Sequence, residues 1–175
     1  MTVVRAPRPD ELRRLQDIER AAGAAFVDIG MPDIAADDPA SLAELEEYRA
    51  DGRAWVVPDD GDRPVAYVLV DLVDGHAHVE QVSVHPDHGR RGLGRRLLDH
   101  VHAWAAARGD AVVTLTTFRD VPWNAPYYTR CGYRVLQEAA LGPELRALMA
   151  EEASHGLDPA LRVAMAFDLG KDRRP

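Results

Sequence analysis

Residues 81–98 read QVSVHPDHGRRGLGRRLL and join an apolar strand to a helix through a loop rich in glycine and arginine. The pattern predicts that the strand ends at Val84 and that the helix opens at Gly92. Such a helix start binds anions, because its first N–H groups lack intrahelical partners and the helix dipole favours negative charge. Four cations oppose that dipole here, namely Arg90, Arg91, Arg95 and Arg96. A bound polyanion such as a pyrophosphate would remove the conflict.

The composition indicates one ordinary globular domain, since 175 residues are 46% hydrophobic and 29% charged. No apolar run approaches the roughly 20 residues of a membrane span, and the first residues lack the apolar core of a signal peptide. Cys131 is the single cysteine, which excludes an internal disulfide and fits a reducing cytoplasm. The net charge of −8 argues against a nucleic-acid partner. We therefore expect a cytoplasmic protein that binds neither membranes nor nucleic acids.

Acidic residues are concentrated between Pro32 and Asp51, where seven acids accompany one arginine. Such a run is typical of a solvated helix face. The alternative interpretation is a field that favours a cationic substrate.

Hydrophobic periodicity predicts an α/β (α+β) protein with a mixed sheet and flanking helices. The predicted strands are Val3–Arg5, Ala54–Val57, Pro64–Val70, His76–Val84, Ala111–Thr117, Tyr133–Gln137 and Leu161–Leu169. The predicted helices are Asp10–Ala22, Ser41–Gly52, Gly92–Arg108, Asn124–Cys131 and Gly142–His155, with Asp10, Ser41 and Asn124 as N-caps. Residues Phe26–Pro39 are predicted to be irregular. About seven strands, mostly antiparallel, result.

One parallel pair is expected in this sheet. Ala111–Thr117 follows a strand, a loop and a helix, so it should run parallel to His76–Val84. The arginine and glycine loop lies beside this pair, at the kind of strand end where open α/β sheets bind ligands.

Two motifs give the chain its resemblance to the GNAT superfamily of N-acetyltransferases. Gly89-Arg90-Arg91-Gly92-Leu93-Gly94 resembles the acetyl-CoA pyrophosphate loop, usually Gln/Arg-x-x-Gly-x-Gly/Ala, and departs from it at Gly89. WNAPYYTRCGY, residues 123–133, resembles a second segment of the family. The element order is similar over nearly the whole chain. This implies a single GNAT-like domain at 1–169 with a central splayed parallel pair, and a tail at 170–175.

The resemblance implies a cofactor site for acetyl-CoA. Backbone groups of Val82, Ser83 and Val84 would pair with the pantetheine arm, and an N–H near Val82 would polarise the thioester. The pyrophosphate would be held by the loop, Gly89, Arg90, Arg91, Gly92, Leu93, Gly94 and Arg95. Asn124 and Tyr127 would complete the cofactor side, although Asn124 could serve only as an N-cap and Tyr127 only as a core residue.

Acetyl transfer to an amine also needs a proton acceptor for the amine and a donor for the departing thiolate. By resemblance, Tyr128 is the donor and Glu80 the candidate base, directly or through a water. Glu80 could instead belong to a structural ion pair. His78, two residues earlier on the same strand face, could relay protons or touch the substrate, but its position favours a partner for Glu80. The histidines around the loop lack a completing ligand pattern, so no metal is expected.

The chain is thus predicted to be an acetyl-CoA-dependent N-acetyltransferase that acts on an unidentified small amine by direct attack in a ternary complex. A peptide N-terminus, an amino acid and an antibiotic stay open as acceptors. The alternative is a catalytically silent acyl-CoA sensor. A nucleotide-binding protein ranks below both, since neither G-x-G-x-x-G nor a P-loop lysine is present. Exposed sheet edges are compatible with a homodimer.

Overall fold

The computed structural model describes residues 3–172, and its strands form one six-stranded mixed sheet. The strands are β1 (Ala54–Pro58), β2 (Pro64–Val73), β3 (His76–Val84), β4 (Val112–Phe118), β5 (Arg134–Val135) and β6 (Arg162–Asp168). Their order across the sheet is β1-β2-β3-β4-β6-β5. The predicted α/β architecture is confirmed, with six strands in place of about seven.

The described helices are α1 (Leu12–Gly23), α2 (Pro32–Ala35), α3 (Leu42–Ala50), α4 (Leu93–Arg108), α5 (Ala125–Arg130) and α6 (Pro143–Ser154). Short 3-10 turns occur at Pro9–Glu11, Ala24–Ile29 and Pro86–His88, among other places. None of the helices in this part of the chain is long and apolar enough to cross a bilayer.

The strand β4 runs parallel to β3, as predicted. Register pairs join Ala77 to Val113, His78 to Thr114 and Val79 to Leu115. β3 continues beyond this ladder to Val84, where the loop that precedes α4 begins. The β1–β2 and β4–β6 pairs are antiparallel, so most of the sheet has the predicted orientation.

The described chain divides into two compact units. The N-terminal unit contains residues up to Val70 together with Gln81–His100, and the C-terminal unit contains Asp71–Glu80 and the residues from Val101 onward. The prediction of one domain over 1–169 stays a prediction. The predicted tail lies only in part inside the described residues, where a 3-10 turn covers Leu169–Asp172.

The core of the N-terminal unit lies between two helices and two strands. It consists of Leu12, Leu15 and Ile18 from α1, Leu45 from α3, Ala54 and Val56 from β1, and Tyr67 and Leu69 from β2. The first three recur at the 3.6-residue period that predicts an amphipathic helix, and all are buried.

An aromatic stack fills part of the C-terminal unit. The His102 ring on α4 lies 3.7 Å from the Phe167 ring, nearly parallel to it, and His102 Nε2 is 2.8 Å from Tyr133 Oη. Gly132 has a φ of +96°, and a Cβ there would lie 3.0 Å from Phe167. The chain can therefore turn from α5 into β5 against this stack only with glycine at this position.

Two predictions at the N-terminus are wrong. The strand predicted at Val3–Arg5 is a single antiparallel bridge between Arg5 and Val56. Asp10 does not cap α1, because a 3-10 turn precedes the helix and Glu11 occupies the N-cap. Glu11 instead accepts hydrogen bonds from Arg5 at 2.7 and 2.9 Å, and this pairing fixes the chain entry.

Three further predictions need correction. Residues 26–39 include the end of a 3-10 turn and the helix α2 rather than only irregular structure. The strand predicted at Tyr133–Gln137 contains only two residues, since the 3-10 turn Glu138–Ala140 follows closely. Asn124 occupies the N-cap of α5, but its side chain makes no capping hydrogen bond.

Candidate active site

The loop before α4 has a backbone suited to binding an anion. Arg90 and Gly92 both have positive φ values, +60° and +72°. Residues in the left-handed region near a helix start aim successive N–H groups into one concavity. α4 begins at Leu93, and its first i to i+4 bond runs from Arg96 N to Gly92 O at 3.0 Å. The N–H groups of the first turn therefore point towards the loop.

A non-glycine residue in the left-handed region is unfavourable by about 1–2 kcal/mol. Arg90 holds that conformation, which is the kind of local strain that clusters at ligand sites. Arg90 and Arg91 are exposed, and no ion pair holds either within the described residues. Arg95 by contrast bonds Asp99 one turn later, Nε to Oδ1 at 2.9 Å.

Gly89, where the loop departs from the family pattern, lies close to a backbone carbonyl. Gly89 follows the 3-10 turn Pro86–His88, and its N–H bonds Pro86 O at 3.0 Å. A Cβ at this position would lie 3.2 Å from the same carbonyl, closer than most Cβ contacts. A larger residue would require this turn to open slightly.

A β-bulge reshapes β3 just before the loop. The turn Asp74–Gly75 has two positive φ values, as in a two-residue hairpin, and His85 N bonds Val65 O at 2.8 Å. Between these two points the segment His76–His85 is one residue longer than the opposing segment Val65–Val73, so one residue on the β3 side has no partner across the hairpin. The hydroxyl of buried Tyr67 bonds Ser83, which places the extra residue ahead of Ser83. A bulge re-aims backbone groups, here in the stretch predicted to meet the pantetheine arm.

In the C-terminal unit, Glu80 is a carboxyl whose proton affinity suits acid–base chemistry. Its side chain reaches solvent, yet the surrounding protein removes part of its hydration. This desolvation, then the charges of Asp71 and Glu152, raise the pKa of Glu80 to about 7. A side-chain hydrogen bond with Asp71 raises the pKa of Glu80 further. A base near neutrality works best at neutral pH.

Glu152 and Arg162 form a polar cluster with Thr116. Thr116 Oγ1 donates to Glu152 Oε1 at 2.6 Å, and Arg162 Nη2 approaches both of these oxygens at 3.3 Å. The guanidinium lies 4.7 Å from the centre of the Phe118 ring. Arg162 opposes the rise in the pKa of Glu80, so the cluster belongs to the surroundings of that carboxyl.

The predicted pairing of His78 with Glu80 is wrong. His78 Nδ1 lies 2.8 Å from Thr114 Oγ1 on the adjacent strand, in the register that joins these residues. Burial lowers the pKa of His78 to about 4, so its ring is neutral at physiological pH. His78 is therefore a structural hydrogen-bonding residue.

Tyr128 is buried on α5, whereas its neighbour Tyr127 is half-buried. The two rings meet edge to face, with centroids 5.5 Å apart. Burial, then the proximity of Tyr127 and Cys131, raises the pKa of Tyr128 far above its ordinary value, while Arg162 opposes the rise. The phenol thus keeps its proton, as a proton donor must. Asn124 precedes these residues at the N-cap of α5, and its carboxamide makes no capping hydrogen bond to the helix.

Each unit brings together a part of the predicted site. Val82, Ser83, Val84 and the loop from Gly89 to Arg95 lie in the N-terminal unit, whereas Glu80, Asn124, Tyr127 and Tyr128 lie in the C-terminal unit. The sequence interpretation missed Asp71, Glu152 and Arg162. Asp71 had one signal, a lone acid in the apolar strand PVAYVLVDLV.

The family model described as "Acetyltransferase (GNAT) family" matches residues 15–133, more than half of the chain. The chain belongs to the GNAT acetyltransferase family. It is an acetyl-CoA-dependent acetyltransferase, and the matched range includes Glu80, the glycine and arginine loop, and Tyr128.

Solved structures share this GNAT fold at low identity. An acetyltransferase of the GNAT family from Staphylococcus aureus Mu50 has a TM-score of 0.71 and 13% identity, covering 97% of this chain and 99% of that one. The ribosomal-protein-S18-alanine N-acetyltransferase of Escherichia coli gives 0.63 and 18%, covering 100% of both chains. N-acetylglutamate synthase from Neisseria gonorrhoeae, complexed with coenzyme A and N-acetylglutamate, gives 0.72 and 16%, covering 97% of this chain and 35% of that one.

Proposed function

We propose that this GNAT enzyme transfers the acetyl group of acetyl-CoA to the amine of a small acceptor by direct attack in a ternary complex. Glu80 is the base and Tyr128 the proton donor. The acidic residues between Pro32 and Asp51 contribute a negative electrostatic potential, which favours a cationic acceptor.

The cofactor is assigned to the loop and to the end of β3. Val82, Ser83 and Val84 pair through their backbone with the pantetheine arm, as an added strand does. The N–H groups from Gly89 to Arg95 and the arginines Arg90 and Arg91 hold the pyrophosphate. Asn124 and Tyr127 contact the pantetheine from α5. Positive φ at Arg90 and Gly92 supports the pyrophosphate assignment.

The acceptor ammonium loses two protons in the reaction, and the departing sulfur gains one. The acceptor ammonium gives one to Glu80, and the freed lone pair of nitrogen attacks the thioester carbonyl carbon. The C–S bond then breaks, and its electron pair leaves with the sulfur, which takes a proton from Tyr128. The amide nitrogen releases its second proton to solvent, and Tyr128 recovers one from there. Glu80 then passes its own proton to solvent, so that one proton is released per turnover. The products are the N-acetyl compound and CoA with a free thiol.

One observation carries the proposal over a silent acyl-CoA sensor. Glu80 is open to solvent, yet desolvation and the nearby Asp71 and Glu152 raise its pKa to about 7. A structural ion pair would lower the pKa of a carboxyl instead. A carboxyl that exchanges protons near neutrality is suited to turnover, and a sensor has no need of one.

The test is the pH dependence of kcat/KM with a panel of small primary amines, followed by the release of CoA thiol. Wild-type activity should rise with pH through a limb near pH 7, as Glu80 ionises. Glu80→Gln should lose about 100-fold in kcat/KM and lose that limb. Glu151→Gln, an exposed change on α6, is the matched control and should keep both.

Calorimetric titration with acetyl-CoA separates the remaining outcomes. Binding without product from any amine would favour the sensor. An unchanged limb in Glu80→Gln would remove Glu80 from the mechanism.

A further inference from the structure

Glu19 is a half-buried carboxylate on α1, and a chain of hydrogen bonds from the sheet ends on it. Tyr67, which is fully buried on β2, donates its hydroxyl to Glu19 Oε2. The Ser83 hydroxyl bonds the same phenol, and Gln81 Nε2 donates to Ser83 Oγ at 2.8 Å. Each donor points to the next acceptor, and the carboxylate is the last acceptor. Such a chain stabilises negative charge at its end.

This chain fixes the carboxylate beside the strand assigned to the cofactor. Tyr67 bonds both Glu19 and Ser83, so the carboxylate lies two hydrogen bonds from a residue assigned to the pantetheine arm. All of these residues belong to the N-terminal unit. The second oxygen of Glu19, Oε1, accepts no hydrogen bond from any described residue and is not among the buried unsatisfied atoms. A ligand can therefore reach it from solvent.

Glu19 also lacks a cationic partner. Two other partly buried glutamates have an arginine within ion-pair distance, Glu11 with Arg5 and Glu152 with Arg162. Glu19 forms no ion pair with any residue that the structure describes, and the adjacent Arg20 pairs with Asp17 at 3.8 Å. A partly desolvated carboxylate without a counter-ion is unfavourable, and a cationic ligand would remove that cost.

The surrounding charges agree with this geometry. Desolvation raises the pKa of Glu19, while the bond from Tyr67 and the charge of Arg20 oppose the rise. Asp37, which follows α2, adds a negative charge that raises the pKa further. A cation bound to Oε1 would offset both the desolvation and the repulsion from Asp37.

We propose that the Glu19 carboxylate binds a second cationic group of the acceptor, so that this enzyme prefers diamines or other amines with a positive charge away from the reacting nitrogen. This inference rests on the proposed acetyl transfer to a small amine. The reacting nitrogen must give up its proton before it attacks, and an ion pair with a carboxylate would retain that proton. A nitrogen that stays charged throughout the reaction is instead stabilised by such a pair.

A purely structural role for Glu19 would be to accept the hydroxyl of Tyr67. That role needs only an oxygen, and Glu19→Gln supplies one from its side-chain carbonyl. The substitution therefore removes the charge while it keeps the shape and the acceptor. We expect this variant to fold, with a urea midpoint close to that of wild type.

The experiment compares linear diamines with monoamines that carry a methyl group in place of the second ammonium. Wild type should favour at least one diamine over its matched monoamine by about tenfold in kcat/KM, as a charge-assisted hydrogen bond allows. Glu19→Gln should lose most of this preference through a higher KM for the diamine, and its kcat/KM for the monoamine should not change. Glu151→Gln, the same substitution at an exposed position of α6, is the control and should keep the preference.

Tyr67→Phe tests the hydroxyl that orients the carboxylate. The ring stays in the core, and Glu19 keeps its charge but loses its fixed direction. The preference for the diamine should therefore fall by about threefold, less than in Glu19→Gln. Because each ratio is compared between variants, differences in basicity between the two amines cancel.

Binding without turnover separates this inference from the proposed function. Calorimetric titration of the diamines into the CoA-bound protein should give a Kd about tenfold weaker for Glu19→Gln than for wild type. That loss without acetylated product from any amine would keep the cation site and remove the acetyl-transfer assignment.

Three results would overturn the inference. They are a wild type without preference for any diamine, equal losses for diamine and monoamine in Glu19→Gln, and an unchanged diamine Kd in that variant. Should Glu19→Gln fail to fold, Tyr67→Phe decides the matter, since an unchanged diamine preference there would also overturn it.

Discussion

Tyr127 and Tyr128 are adjacent residues of α5 that stand in different surroundings. Tyr128 is 8% exposed, and burial raises its pKa, whereas the charge of Arg162 opposes this rise. Tyr127 is half-buried, and the Arg130 guanidinium lies 5.9 Å from its ring centre. The buried environment of Tyr128 suits a phenol that must give its proton only to a thiolate, because water is kept away from the hydroxyl.

We therefore expect Tyr128→Phe to lower kcat by about 100-fold and to leave the acetyl-CoA Kd within twofold, because only the hydroxyl is lost. Tyr48→Phe is the control, since it removes a hydroxyl from a half-buried ring on α3 outside the assigned cofactor residues, and its kcat should stay within about threefold of wild type. Burst and steady-state release of CoA thiol measure both. Full activity in Tyr128→Phe would show that another group protonates the sulfur.

The family resemblance names candidate residues but does not predict their neighbours. Glu80 and Tyr128 are candidates from that resemblance, whereas the residues that shift the pKa of Glu80 come from distant parts of the chain. Glu152 lies in a helix whose sequence is typical of a solvent-exposed helix, and Arg162 lies at the start of a strand. Neither position has a sequence signal that indicates a role. The same gap explains His78, whose partner Thr114 is fixed by the β3–β4 register.

At the scale of elements, the start of α4 is the part of the proposed site that two glycines allow to be tested. Gly92 has a φ of +72° and Gly52, after α3, a φ of +68°, and a Cβ at either would meet nothing within 4 Å. The two glycines thus share the same conformational demand and the same open space. Only Gly92 lies in the loop assigned to the pyrophosphate.

This pair of glycines allows a matched test of the loop. Gly92→Ala and Gly52→Ala should each lower the free energy of unfolding by about 1 kcal/mol, since alanine is unfavourable in the left-handed region. Gly92→Ala should also weaken acetyl-CoA binding by at least tenfold, because a change of backbone conformation at this position turns the N–H groups of the loop away from the pyrophosphate. Urea unfolding and calorimetry give the two numbers, and equal affinities would refute the pyrophosphate assignment.

Elements were predictable in proportion to their local signal. Ser41 and Glu44 form the predicted capping box, with bonds of 3.2 and 2.8 Å, and β3 spans the predicted His76–Val84. The failures lie where tertiary contacts compete with local preference. Glu11, which pairs with Arg5, occupies the N-cap in place of Asp10, and β5 is a two-residue strand that pairs with β6.

At the scale of the whole molecule, two buried or partly desolvated groups tie folding to pH with opposite sign. The pKa of His78 falls from 6.5 to about 4 on folding, so the unfolded chain binds its proton first as pH drops. His78 therefore supports the folded state fully above pH 6.5, and this support is lost as pH falls towards 4. The depression corresponds to about 3 kcal/mol at most.

Glu80 acts in the other direction over an overlapping range. Its pKa rises from 4.5 to about 7 on folding, so the unfolded chain loses the proton first as pH rises. Glu80 thus favours the folded state below pH 4.5, and this contribution is lost as pH rises to 7. Between pH 4.5 and 6.5 the two groups change the free energy of unfolding in opposite directions. Their contributions therefore cancel, and together they should change wild-type stability little over this range.

Substituting one of the two residues should reveal how the other makes the free energy of unfolding depend on pH. In Glu80→Gln the His78 term remains alone, so the free energy of unfolding should rise with pH between 4.5 and 6.5. In His78→Gln the Glu80 term remains, and stability should fall over the same range. Urea midpoints at half-unit pH steps measure the slopes, which do not depend on the absolute stability lost by either change. Parallel slopes in the two variants would contradict the pKa directions, whereas crossing slopes would place a neutral His78 and a protonated Glu80 in one folded molecule near pH 6.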